Sequence, residues 1–255
     1  MAQVAIVAEY TFLDYVRSRK FYIVLTLVMV ITVLLNLISA YTGLSIFEFW
    51  GMLASLVAVF SGVFFGGDAI SGEFQNKTGY FIIPNPIRRS SVYFGKWISA
   101  FAACSIILAM MMVVTLVNGF CNFGVPSGFG SSVLFLWFYL AAVIGSVFFF
   151  SSLFRNSTNS IFVAFVVLVL LFTFIVQMSG LVNVEPWFIL NYGAEIIGNI
   201  LIVPYPPHST VGILAKTDLT ATTYYATVPQ GLAIIGLYFV ITTVFGLLIF
   251  ERKEF

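Results

Sequence analysis

Charge is what this sequence has least of. Asp, Glu, Lys and Arg make up 8% of its 255 residues, against 61% hydrophobic residues and a mean hydropathy of +1.07. A soluble globular domain carries about 25% charged residues, so that class is excluded. Histidine is nearly absent as well: His208 alone rules out a histidine-built metal cluster or a Ser-His-Asp arrangement within one chain. Cys104 and Cys121 are too few for a disulfide framework. A phosphate-binding loop is also missing, since Gly95-Lys96 is followed by Trp97 rather than Ser or Thr and lacks the upstream glycine. The chain therefore reads as no enzyme and as having no ATPase site, cofactor or metal of its own.

Long apolar runs are what the sequence does have. A helix needs about 20 apolar residues to cross roughly 30 Å of hydrocarbon. Such runs fall at Phe21–Tyr41, Phe47–Phe65, Trp97–Val117, Val133–Phe150, Ile161–Met178 and Leu232–Phe250. None shows the period-two alternation of a membrane barrel, so the expected fold is all-α, with six transmembrane helices in a single membrane domain over residues 1–255. The first apolar run follows a mixed leader with no A-x-A-like cleavage site after it, which does not read as a cleavable signal peptide.

The few cations are polarised. Arg17, Arg19, Lys20, Lys77, Arg88, Arg89, Lys96, Arg155, Arg252 and Lys253 all fall on one side of a chain crossing six times, and only Lys216 falls on the other. Positively charged loops stay inside, so both termini are expected in the cytoplasm of a plasma-membrane protein. Glu48 and Asp68 sit at span ends, so neither builds a proton or ion relay through the midplane.

Between the spans, residues 3–19 read as a helix in the cytoplasmic interface, with Val4, Val7, Ala8, Phe12, Tyr15 and Val16 on its apolar face. Gly62-x-x-x-Gly66 suits close helix approach. Residues 180–231 form a long external connection, whose apolar Val184–Val203 stretch either lies at the outer interface or dips into the bundle. The connection 66–96 is a concentration of charge, with Asp68, Glu73, Lys77, Arg88, Arg89 and Lys96. Within it, Glu73 to Ile83 can form a short amphipathic helix with Phe74, Thr78 and Phe81 near one face, stopped by Pro84 and Pro86. A compact helix projecting from two spans suits docking of a soluble partner.

This connection resembles that of a known family: the membrane subunits of ABC transporters of the second, export-type permease class. The resemblance rests on Asp68, Ser71-Gly72-Glu73, Thr78, Phe81–Ile83, Pro86, Arg89 and Gly95-Lys96 at matching separations, and on the span pattern of the whole chain. Lys77, Gly79 and Pro84 depart from the family's usual loop. The resemblance implies a permease subunit of an ATP-driven exporter, forming the translocation path as a dimer of identical or related chains. It implies a coupling helix whose Glu73, Phe74, Lys77, Thr78, Phe81, Pro86 and Arg89 contact a separate ABC-type ATP-binding subunit, with ATP and Mg held there. Asp68, Arg88 and Lys96 would anchor the loop, the cations at the lipid headgroups and Asp68 on a basic residue such as Arg17 or Arg19. The alternative is a stand-alone six-span channel or a scaffold subunit in a membrane complex.

Overall fold

The computed structural model describes residues 2–75, 88–213 and 220–253. Among them are six helices long and apolar enough to cross a membrane: Arg19–Thr42, Trp50–Gln75, Arg89–Phe123, Phe129–Leu153, Ser157–Val182 and Val228–Arg252, numbered here as spans one to six. The chain is an all-α membrane protein with almost no strand. Most spans run past their apolar stretches, and at two of them polar flanks supply the cap. Asn156 accepts the Thr158 amide at the start of span five, and Thr227 with Gln230 forms a capping box opening span six. Span three, at 35 residues, is about 52 Å long and outreaches the hydrocarbon.

Span four is the centre of the bundle. Leu140, Val143, Ile144, Val147 and Phe148 are fully buried along it, span six packs down one side and span two down another. The approach of span two depends on the glycine pair seen in the sequence. A Cβ on Gly62 would lie 2.9 Å from Val143 Cγ1, and one on Gly66 would lie 3.0 Å from Val147 Cγ1. Span two is accordingly the most enclosed, with 72% of its apolar window buried against 11% for span five.

The amino-terminal helix, Ala2–Arg17, packs on span three. Its six expected apolar positions are the half-buried ones, and Val7 lies against Gly95 while Ser99 Oγ donates to the Ala8 carbonyl at 2.6 Å. A second stripe, Ile6, Tyr10 and Leu13, is exposed. Ser18 breaks the helix from span one with an extended backbone, donating to Tyr15 O at 2.7 Å and accepting the Phe21 amide.

At the opposite pole the connection between spans five and six dips into the bundle. Its short helices Leu190–Ala194 and Ile196–Asn199 bury Leu190, Tyr192, Ile196 and Ile197. Gly51 and Gly198 meet backbone to backbone, since a Cβ on Gly51 would stand 2.5 Å from Gly198 Cα. Trp50 Nε1 donates to Ser132 Oγ at 2.9 Å, and that hydroxyl donates in turn to the Ile197 carbonyl. A hairpin absent from the sequence expectation follows, β1 Ser209–Ile213 pairing antiparallel with β2 Thr220–Tyr224.

Overpacking the seam between spans two and four has a definite cost. Gly62→Leu is expected to destabilise the purified protein by about 1–3 kcal/mol. Gly236→Ala, where a Cβ meets nothing within 4 Å, should leave it unchanged or slightly stabilised. Thermal unfolding in detergent followed by size exclusion checks both.

Candidate functional site

Span two does not end cleanly. After Gly66 it breaks into turns at residues 67–70, then re-forms as the short helix Ser71–Gln75. The break places eight residues, 68–75, where they touch every other span. Asp68 Oδ2 accepts from Lys20 Nζ of span one at 2.5 Å, so its partner is Lys20 and not Arg17 or Arg19. Toward span three, Lys96 Nζ donates to the Ala69 carbonyl at 2.7 Å and to Glu73 Oε1. Span four contributes Ser151, whose Oγ accepts the backbone N–H groups of Ile70 and Ser71, each at 3.0 Å. From span five, the Ser157 amide donates to Gln75 Oε1 at 2.9 Å. In span six, the Phe250 ring stands edge-on to Phe74 with centroids 6.2 Å apart.

The Glu73–Lys96 pair carries the most weight in this arrangement. Both side chains are mostly enclosed, 16% and 15% exposed, so neither charge is well hydrated. Enclosed charges are tolerable only as a pair with further hydrogen bonds, and the Ala69 carbonyl supplies one to the ammonium. Lys96 is thus turned inward to an ion pair instead of outward to the headgroups. Arg89 is likewise engaged with protein: its guanidinium donates to the carbonyls of Glu251 at 3.1 Å and Lys253 at 2.6 Å, closing the start of span three onto the end of span six. Arg88 precedes the first turn of span three and is exposed.

Lys253 completes the pole. Its ammonium donates to the carbonyls of Ser152, Leu153 and Phe154 at 2.9, 3.3 and 3.0 Å, where span four runs out of intrahelical partners. The same ammonium sits 4.5 Å from the centroid of the Phe74 ring. Burial, with the Arg155 charge adding to it, holds the Lys253 amine below its ordinary range. Tyr15 of the amino-terminal helix donates to the Phe65 carbonyl at 2.8 Å, bringing that helix onto the same segment.

Of the ten residues singled out from the sequence, Asp68, Glu73, Phe74, Arg88, Arg89 and Lys96 are gathered at this pole. Lys77, Thr78, Phe81 and Pro86, with the rest of the expected helix to Ile83, lie outside the described residues. Sequence reasoning missed Lys253, Ser151 and Phe250 as members of the cluster. From the sequence Lys253 reads as a topogenic charge in the charged ending, and a serine or phenylalanine in an apolar span carries no signal of its own.

The sequence profile described as ABC-2 family transporter protein matches residues 5–255. No curated protein matches the sequence.

Removing one member of the enclosed pair leaves the other charge stranded. Lys96→Met is expected to cost about 3 kcal/mol, with Glu73→Gln alone similar. The double variant should recover most of that loss. A thermal double-mutant cycle measures the coupling, and additive losses would show that the pair is not a unit.

Proposed function

Because this chain belongs to the ABC-2 transporter family, we propose that it is the permease subunit of an ATP-driven exporter. On this reading a separate ABC-type subunit binds ATP and Mg, and two permease chains form the path. Segment 68–75 supports it most directly: eight residues, a turn and a short helix, are tied by hydrogen bonds, an ion pair and ring contacts to all five other spans. A force applied there reaches the whole bundle, which is what a coupling element requires. Charge at this pole, including Arg17, Arg19, Arg88, Arg155 and Arg252, orients it to the cytoplasm of the plasma membrane. The exposed Ile6, Tyr10 and Leu13 stripe of the amino-terminal helix faces lipid at the same level, giving it its interfacial role.

Within the coupling loop the roles divide. Glu73 is committed to Lys96 and Phe74 is covered by Lys253 and Phe250, so these two transmit. Contact with the ATP-binding subunit then rests chiefly on Lys77, Thr78, Phe81 and Pro86, with Arg88 at the headgroups. Lys77→Glu combined with Phe81→Asp is expected to abolish co-purification of the ATP-binding subunit while leaving the permease's thermal unfolding unchanged. Undiminished co-purification of a folded double variant would sink this assignment.

Span five supplies the pairing surface. It is the least enclosed span, and Phe162, Leu170 and Phe174 stand 66%, 56% and 61% exposed along it. In a background with Cys121→Ser, single cysteines at these positions are expected to crosslink two chains in membranes. Exposed controls at Leu34 and Leu37 of span one should not. Crosslinking at span one with none at span five would move the interface.

A further inference from the structure

A cavity of about 800 Å³ opens between spans two and five and the dipping connection, at the pole opposite the coupling segment. Its walls are mostly apolar: Met52, Leu56 and Val59 from span two, Val169, Leu170 and Phe174 from span five. Against them stands a small polar group composed of Glu195, Asn199 and Asn191, with Thr173 and Gln177 from span five and Glu48 just before span two. Among the described residues no Lys, Arg or His lines the cavity, and Glu48 and Glu195 are the ionisable acids in its wall.

Two of these polar side chains are left unfinished by the fold. The Glu195 Oε2 atom is closed off from solvent and has no hydrogen-bond partner. Asn199 is 8% exposed, and its amide nitrogen makes no hydrogen bond of good geometry, its electrostatic neighbour being the Tyr205 hydroxyl. Buried polar groups are ordinarily satisfied, and one left open keeps its full desolvation penalty. The neighbouring groups are satisfied by contrast: Asn191 donates to the Leu168 carbonyl at 3.1 Å and lies 3.3 Å from Thr173 Oγ1. That carbonyl lies within the π-helical turn Val166–Leu171, which interrupts span five at the cavity wall. Such turns recur at functional sites. A second cavity, about 370 Å³, shares Gln177 and Glu195, so the carboxyl stands at the partition between two spaces.

The geometry points to a binding site for an amphipathic amine, its ammonium on Glu195, an adjacent hydroxyl or carbonyl accepting from the Asn199 amide, and its hydrocarbon along spans two and five. Once the Glu195 side chain turns toward the cavity, an ammonium satisfies its unpartnered oxygen and neutralises it at once, which a neutral or anionic headgroup does not. Desolvation raises the Glu195 carboxyl to about 8, with the Ala226 backbone hydrogen bond offsetting part of that rise; an arriving cation removes the penalty. What the site is for rests on the permease reading, where this amine is cargo. Binding itself needs no ATP-binding subunit, so its failure leaves that reading standing, and loss of the ATP-binding partner leaves the site standing.

The test is a fluorescence titration of dansylcadaverine into the full chain in nanodiscs, with empty nanodiscs subtracted. Saturable binding is expected, with N-acetyl-dansylcadaverine, its uncharged counterpart, at least about tenfold weaker. Glu195→Gln should weaken the amine by about tenfold and leave the acetylated compound unchanged, and Asn199→Ala should weaken both less. As a measurement independent of any variant's folding, dodecylamine should displace the probe from the unaltered protein at least about tenfold better than dodecanol. Equal displacement by the two, or amine affinity unchanged in a folded Glu195→Gln protein, overturns the proposal.

Discussion

Charge in a hydrocarbon environment must be paired or expelled, and the Glu73–Lys96 ion pair is the point where this chain pairs it. Most other cations are expelled to loops and termini, where water or headgroups solvate them. Lys96 is different because it opens the apolar part of a span and sits 15% exposed. Once it is held there, Ala69 and Glu73 are held too, and the break after Gly66 becomes a fixed feature rather than a frayed end. Ser151, Ser157 and Phe250 then find their partners in a segment that already has a position.

The six spans were legible because twenty-residue apolar runs have no other stable outcome in lipid. Gly62 and Gly66 were legible as a close-approach motif, and Val143 and Val147 are what they approach. The face Val4, Val7, Ala8, Phe12, Tyr15 and Val16 is legible as apolar, but it reads as the membrane side of an interfacial helix, whereas span three covers it. Span ends were read short, since capping by Asn156 or Thr227 extends a helix beyond the reach of hydropathy. Which carboxylate meets which cation was harder. Lys20 and Arg19 are one residue apart, about 100° around a helix, and only the corner set by Ser18 decides that Lys20 faces Asp68.

Polar atoms on the dipping connection were least legible of all. Sequence left open whether Val184–Val203 lies on the surface or enters the bundle. Close passage of Gly198 over Gly51 decides it, and this contact between residues far apart in the chain leaves no local pattern. Entry of that stretch carries Glu195 and Asn199 inward with it, which turns two unremarkable residues of a loop into an unsatisfied pair beside a cavity.

The two regions are joined by the same two elements. Span two begins at the cavity with Gly51, Met52 and Ser55 and ends at segment 68–75 with Asp68 and Glu73. Span five begins at Ser157, bonded to Gln75, and reaches the cavity at Leu168–Gln177. On the proposed reading, a displacement of helix Ser71–Gln75 therefore reaches both long walls of the cavity, span two through the pinned turns 67–70 and span five through the Ser157–Gln75 bond. The walls do not respond alike. Span two is locked to span four along its glycine face, whereas span five is largely free of the bundle and carries a π turn beside the cavity. A rigid wall opposite a compliant one changes its separation when pushed from one end. That asymmetry would let a movement at the charged pole open or close a site about 25 Å away along span two.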